Sequence, residues 1–302
     1  MSRPRAAVLG HPIGHSLSPA LHGAAYAMLG ADIIYSRRDV DVAELPDFLA
    51  GEGAQRGWVG WSVTMPLKSA MVPHMDSLSP RVETLGVLNT VVHGPDGLAG
   101  DNTDVDGIVA ALEEAGLQKA GLPTAETERP PTEGTQGRFG VIGAGSTAAA
   151  ALAAAAELGF TEVCAYARSP ERAVSLEPVA ETLGIRLRTA TLEALTRDVA
   201  GDELGAVVST LPPRAADGLA AQVPRLRRRL PLLDVAYDPW PSALADAWER
   251  AGGHVVSGLA MLLHQAVEQV HRFTAGTARP AAELSSAEHE QMVARMRSVL
   301  PG

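Results

Sequence analysis

Between Arg138 and Tyr166 the chain sets a strand, a glycine turn, a helix and a second strand in direct succession, and that order leaves few folds open. Arg138-Phe139-Gly140-Val141-Ile142 reads as a buried strand. Gly143-Ala144-Gly145-Ser146-Thr147-Ala148 turns the chain, an alanine-rich helix runs to Leu158, and Glu162-Val163-Cys164-Ala165-Tyr166 has the composition of another strand. Two strands joined by a crossover helix lie parallel, because the twist of the strands lets the helix pack back on the sheet in only one hand. Gly143, Gly145 and Ala148 fit G-x-G-x-x-A inside this unit. The first glycine permits the turn, and the second lets a pyrophosphate approach the N–H groups at a helix start. Alone such a match is weak, but the strand before it and the helix after it make it specific. The segment reads as the opening unit of a Rossmann-type dinucleotide-binding domain.

The alternation extends in both directions. Further strands are predicted at Arg186 to Arg188, Ala206 to Ser209, Leu232 to Val235 and His254 to Val256. Toward the N-terminus, Ala6 to Gly10, Ile33 to Ser36 and Trp58 to Val63 read as strands, with a helix around Val42 to Ala50. Another helix covers Ser18 to Leu29, with Ser18 at its N-cap and Pro19 at its first position. The fold class is therefore α/β with mostly parallel sheets, whose ligand crevices lie beyond the carboxyl ends of the strands. Gly10, Val63-Thr64 and Asn89-Thr90 are expected at such ends. At 302 residues two domains are the prior expectation. Gln118 to Arg138, rich in Pro, Glu, Thr and Gly, reads as an exposed insertion at their boundary. The chain ends in helical stretches at Leu259 to Thr274 and about Ala282 to Leu300. The expected division is 1–106 for a substrate domain, 107–257 for the dinucleotide domain with its 118–138 insertion, and 258–302 for helices returning to the first.

Charge and cysteine content exclude several functions. A net charge of −10 repels phosphate backbones and anionic membrane surfaces, so neither nucleic acid nor membrane is an expected partner. Cys164 is the only cysteine, which rules out an intrachain disulfide and a four-cysteine zinc site. The apolar run Ala6 to Leu9 stops at Gly10-His11-Pro12, too short for a signal peptide, and a cytoplasmic location is expected. His11, His15 and His22 invite a metal reading, but Pro12 and Gly14 prevent one helix from aligning the first two. No metal is expected.

Two loops carry the chemistry. Gly60-Trp61-Ser62-Val63-Thr64-Met65-Pro66-Leu67-Lys68 offers a lysine just past a strand end, and Gly100-Asp101-Asn102-Thr103-Asp104 offers a carboxylate. In a cleft, a Lys68/Asp104 pair can act as acid or base near neutral pH. On a surface it would be an ion pair of little consequence. The stretch Ala167-Arg168-Ser169-Pro170-Glu171-Arg172 decides between dinucleotides. NAD sites place a carboxylate at this strand end, whereas Arg168, Ser169 and Arg172 suit a 2′-phosphate, so NADP is the expected cofactor. The two arginines could instead be solvated helix-start residues, with Glu171 paired to either.

Several ordered segments together resemble the shikimate dehydrogenase family from Gly10 to about His271. They are Gly10-His11-Pro12-Ile13-Gly14-His15-Ser16-Leu17-Ser18-Pro19-Ala20-Leu21-His22, Ser62 to Lys68, Leu88-Asn89-Thr90, Gly100 to Asp104, the Gly143 turn, Tyr237-Asp238-Pro239 and Gly258 to Gln265. The resemblance implies NADP-linked hydride transfer between shikimate and 3-dehydroshikimate, with a monomer or homodimer acting on a small molecule. It implies Lys68 and Asp104 as the catalytic pair, Ser16 and Ser18 as carboxylate binders, and Thr64, Asn89, Tyr237 and Gln265 as further substrate contacts. For the cofactor it implies the 143–148 turn, Arg168, Ser169, Arg172, Thr210, Gly258 and Met261. The chain departs from the family pattern at Ser62, where asparagine is common, and at Ser209-Thr210-Leu211. Relatives that use quinate or an aminoshikimate, and a non-catalytic NADP-binding sensor, are the alternatives.

Overall fold

The computed structural model describes residues 3–117 and 137–301, so all but the last two residues of the expected insertion lie outside the described residues. The chain forms two compact units, one comprising Met1–Asp104 with Leu263–Gly302 and the other Val105–Leu262.

The first unit is built on strands β1 (Arg5–Gly10), β2 (Ile34–Asp39), β3 (Trp58–Val63), β4 (Ser77–Leu78), β5 (Thr90–Gly94) and β6 (Gly97–Asp101), in the order β2-β1-β3-β5-β6-β4. β1 runs parallel to β2 and β3, whereas β5 is antiparallel to both β3 and β6. The sequence puts Asn89-Thr90 at the carboxyl end of a strand. Thr90 instead opens β5, opposite Ser62 of β3. Because β5 runs the other way, its start reaches the same end of the sheet as the end of β3.

Helices α1 (Ser18–Leu29), α2 (Leu45–Ala50), α3 (Leu67–Ala70) and α4 (Pro80–Leu85) fill the connections, and α5 (Asp104–Glu114) begins at the last residue of this segment. The expected cap of α1 differs: Leu17 is the N-cap, with no side-chain cap bond, and Ser18 is already helical. Ser18 is buried within the helix, 5% exposed.

The second unit carries β7 (Arg138–Ile142), α6 (Ser146–Glu157), β8 (Glu162–Ala167), α7 (Glu177–Thr182), β9 (Arg186–Thr191), α8 (Leu192–Ala200), β10 (Leu204–Ser209), α9 (Asp217–Ala220), β11 (Pro231–Asp234), α10 (Ala243–Arg250) and β12 (His254–Ser257). Its sheet is parallel throughout, in the order β12-β11-β10-β7-β8-β9. The chain moves outward from β7 through β8 to β9, then restarts at β10 on the other side of β7. That reversal is the switch point where such sheets leave a crevice, and the Gly143 turn follows β7 there. Cys164, 2% exposed, is a core residue of β8.

Helix α11 (Gly258–Phe273) starts in the second unit and enters the first after Leu262; α12 (Ser286–Arg297) packs on α1 through buried Met292 and Met296. The approach of α11 to β3 depends on Gly60. A Cβ there would strike the Phe273 ring and come within 2.7 Å of the Val91 carbonyl oxygen. Gly10 plays the same part at the end of β1, where a Cβ would meet Thr64 and lie 2.8 Å from the Met65 carbonyl oxygen. Among the described residues no helix is long and apolar enough to cross a membrane.

Replacing Gly60 with alanine forces Phe273 and the β5 backbone apart. The expected loss is roughly 1–3 kcal/mol of stability, read as a lower urea midpoint at unchanged m-value; an unchanged midpoint would show that α11 has room to shift.

Candidate active site

The lysine and the carboxylate meet. After β3 the chain is held against β1 by Thr64 N–H donating to the Leu9 carbonyl (2.9 Å) and His11 N–H to Met65 (3.0 Å), and α3 then presents Lys68. Lys68 Nζ donates directly to Asp104 Oδ2, and the two side chains are only 14% and 6% exposed. This is a shielded pair rather than a surface one. Asp104 Oδ1 accepts from Asn89 Nδ2 at 2.9 Å, and the Asp104 backbone N–H donates to Asn102 Oδ1 at 3.1 Å. The loop before it is pinned by Asp101, which accepts from Ser79 Oγ (2.8 Å) and from the Arg272 guanidinium of α11 (2.8 Å). Burial works against the Asp101 carboxylate, but Arg272 and Ser79 outweigh it and hold its pKa below the usual value.

A buried amide cluster stands beside the pair. Asn89 Nδ2 also donates to Thr103 Oγ1 (3.0 Å) and Gln265 Oε1 (3.2 Å), while Asn89 Oδ1 accepts from the Thr103 N–H at 2.7 Å. Gln269, one turn beyond Gln265, donates from Nε2 to the Asn89 carbonyl (3.1 Å) and to Thr90 Oγ1 (3.0 Å), and accepts from Ser62 Oγ at 2.6 Å. The sequence reading missed Gln269. Its spacing of four from Gln265 on a helix placed both on one face, which was the available signal. Ser62, noted only as a departure, bonds Gln269 and the Tyr35 hydroxyl (2.6 Å). His22 is fully buried between Tyr26 (3.1 Å) and Gln269 (3.3 Å) and stacks on Tyr35; desolvation lowers its pKa to about 3.

The remaining candidates divide between the units. Ser16, on the loop before α1, accepts from the Ser18 N–H at 3.3 Å, and its carbonyl takes two bonds from Arg37. Thr64 lies between β3 and Lys68. Tyr237 follows β11 in the second unit, with its phenol pKa raised by burial and by Asp238. His11 is exposed and paired with Asp39, whereas His22 is buried, so these histidines share no site.

The glycine turn of the second unit suits a dinucleotide phosphate. Gly143 has φ +119, a conformation that disfavours a side chain, and a Cβ there would strike Thr210 Oγ1. A Cβ on Gly145 would meet nothing within 4 Å, so the space beside the α6 N-terminus is open, and Gly145 caps that helix with no side-chain bond. Ser146 and Thr147 open the helix, Ala144 precedes it, and Ala148 is buried. Thr210 Oγ1 donates to the Ile142 carbonyl at 2.9 Å, which commits it to holding the turn. Arg168 and Arg172 are exposed after β8 and flank Ser169, and among the described residues neither is ion-paired with Glu171. Gly258 has a packing reason of its own, because a Cβ there would lie 2.9 Å from Val235 Cα; Met261 is 7% exposed on the next turn.

A model of the shikimate dehydrogenase substrate binding domain matches residues 8–91, and one described as NADP oxidoreductase, coenzyme F420-dependent, matches residues 138–237. A curated relative from Methylobacterium radiotolerans named shikimate dehydrogenase (NADP(+)) is 37% identical over 268 residues, 88% of this chain and 90% of the relative. The chain belongs to the shikimate dehydrogenase family. The Mycobacterium tuberculosis shikimate dehydrogenase structure is 38% identical, with a TM-score of 0.78, and the match covers 98% of this chain and all of that one. A shikimate 5-dehydrogenase structure from Thermus thermophilus, solved in complex with NADP(H) and shikimate, is 28% identical with a TM-score of 0.75, over 98% and 100% of the two chains. Lys68, Thr64 and Asn89 fall inside the matched substrate-domain segment, and the Gly143 turn inside the other.

The buried imidazole of His22 makes stability depend on pH. Its folded pKa is depressed, so its contribution is complete above about 6.5, the unfolded value, and is lost as pH falls toward about 3. At pH 5 the loss is roughly 2 kcal/mol. Urea unfolding between pH 7 and 5 should show this slope, and His22→Gln should flatten it; equal slopes would mean that His22 does not govern the acid limb.

Proposed function

We propose that this chain is an NADP-dependent shikimate dehydrogenase, interconverting shikimate and 3-dehydroshikimate in aromatic amino-acid biosynthesis. The observation that carries the reading is the Lys68–Asp104 pair, shielded from solvent and oriented by Asn89 on a chain of this family. In oxidation, Lys68 Nζ accepts the proton of the C3 hydroxyl as the hydride leaves C3; in reduction it returns that proton to the ketone oxygen. Asp104 fixes the lysine through Oδ2 and is itself fixed through Oδ1, so neither group has to reorganise during the transfer. The ring hydroxyls of a polyhydroxylated acid need neutral donors and acceptors, and Thr64, Asn89 and Gln265 are of that kind. Ser16 and Ser18 are assigned to the carboxylate and Tyr237 to a further substrate contact.

Bound NADP supplies the hydride acceptor or donor. The 143–148 turn would hold its pyrophosphate and Arg168, Ser169 and Arg172 its 2′-phosphate, while Thr210, Gly258 and Met261 would border the cofactor. The domain assignment follows, with 1–106 taking substrate, 107–257 taking NADP and 258–302 completing the first domain. The net charge of −10 supports a small-molecule enzyme without nucleic acid or membrane partners, and the lone cysteine supports a cytoplasmic setting. A monomer or homodimer is assigned.

Purified protein assayed with shikimate, quinate and aminoshikimate, each against NADP and NAD, should turn over shikimate with NADP fastest. No turnover with any pair would overturn the enzyme reading, and faster turnover of quinate with NAD would overturn the substrate and cofactor assignment. Lys68→Ala should lower kcat by roughly 10²–10⁴-fold; full turnover would remove the lysine from proton transfer.

A further inference from the structure

One side chain of α11 that belongs to no assigned contact reaches three elements of the first unit. Gln269 is 1% exposed, and both hydrogens and both lone pairs of its amide have partners. Nε2 donates to the Asn89 carbonyl at 3.1 Å and to Thr90 Oγ1 at 3.0 Å. Oε1 accepts from Ser62 Oγ at 2.6 Å and faces His22 Nε2 at 3.3 Å. Ser62 and Thr90 are opposite partners in the pairing of β3 with β5, so the amide bridges that pair from above the sheet. The bridge lies where the strands meet the site, with Thr64 shortly after Ser62 and Asn89 directly before Thr90.

The amide can sit only one way round. A backbone carbonyl only accepts, so the end facing Asn89 is the NH2, and the end facing Ser62 and His22 is the oxygen. His22 is the one titratable group that Gln269 bonds, and burial keeps it neutral with its pKa at about 3. Its Nε2 therefore carries the hydrogen turned to Oε1, and its Nδ1 accepts from the Tyr26 hydroxyl. Thr90 Oγ1 receives a bond from Nε2 and turns its own hydrogen to Asn89 Oδ1 at 2.8 Å. One amide thus holds Asn89 twice, at its backbone carbonyl and, through Thr90, at its side-chain oxygen. The same carbonyl accepts from the Val63 N–H at 2.7 Å, which ties it to β3. With its oxygen also taken by the Thr103 N–H at 2.7 Å, Asn89 turns Nδ2 to Asp104 Oδ1 at 2.9 Å.

We propose that Gln269 is a positioning residue for proton transfer, acting through Asn89 on the orientation of Asp104. Asp104 meets Lys68 through Oδ2 and Asn89 through Oδ1, so a swing of the Asn89 amide moves the carboxylate relative to the lysine. Loss of the Nε2 donor frees both the Asn89 carbonyl and the Thr90 hydroxyl to seek other partners, and that swing follows. The effect falls on the chemical step and leaves cofactor binding alone. The inference rests on the shikimate reading. Turnover by the unaltered protein tests that reading, and the ratio of variant to unaltered turnover tests this one.

The test measures kcat for shikimate at saturating NADP in the full chain across pH. Gln269→Glu keeps the size of the side chain but donates to Asn89 and Thr90 only while the introduced carboxyl is protonated. Its kcat relative to the unaltered protein should be within about threefold at about pH 5.5 and fall to roughly a tenth or less by about pH 9, with KM for NADP unchanged. Gln269→Leu has no donor at any pH and should lower kcat roughly 10–100-fold throughout. Thr90→Val cuts the route to the Asn89 side chain; alone it should lower kcat severalfold, and in the Gln269→Leu background by less than about twofold. An unchanged kcat in Gln269→Leu overturns the proposal, as does a Gln269→Glu deficit equal at both ends of the pH range, or full additivity of Thr90→Val with Gln269→Leu. If Gln269→Leu does not fold, Thr90→Val in the Gln269→Glu background decides: its effect should be severalfold at the acid end and under about twofold at the alkaline end, and an equal effect at both overturns the proposal.

Discussion

The amide of Asn89 is the point on which the first unit turns. A primary amide buried at 2% exposure costs several kcal/mol unless both its ends are bonded. Here the requirement is met from three directions. Thr103 and Asp104 come from the loop after β6, Thr90 from its own strand, and Gln265 from α11. The need to satisfy one side chain thus draws a hairpin, a loop and a helix far apart in sequence to the same point. The same bonds that satisfy Asn89 aim Asp104 at Lys68.

Close backbone approach is the second constraint, and glycine permits it. Gly60 lets Phe273 lie against β3, which brings Gln265 and Gln269 to the strand ends, and Gly10 lets the end of β1 abut Thr64 and Met65 just before Lys68. In the second unit Gly143 holds a turn only a residue without Cβ adopts freely, with Thr210 closing it from β10. Both sites thus need close backbone approach as well as their polar groups.

Much of the fold was legible because periodicity and turn residues are local properties. β3 and β7 fall where their apolar runs place them, and the start of α6 follows from Gly143 and Gly145. The direction of β5 was not legible, since an apolar strand reads the same in either direction; the Gly94–Gly97 hairpin sets it against β6, while its antiparallel pairing with β3 is made between segments distant in the chain. The burial of Ser18 was missed for a related reason. A serine before proline at a helix start has a strong local preference for capping, whereas here the helix begins one residue earlier and Ser18 is packed into it at 5% exposure. Tyr35 gave no local sign of its partners, because they lie on other elements, and Gln269 gave only its spacing of four from Gln265.

By itself the sequence determined many of the strands and helices, the α/β class and the glycine turn, and it offered a lysine and a carboxylate on separate loops. These follow from local sterics, hydrophobic period and side-chain chemistry, all of which act within a few residues. Only the tertiary structure decided that Lys68 and Asp104, thirty-six residues apart, form a shielded pair, and that Asn89 orients the carboxylate. Desolvation and hydrogen-bond satisfaction belong to a whole packed interior, and no local stretch of chain contains them.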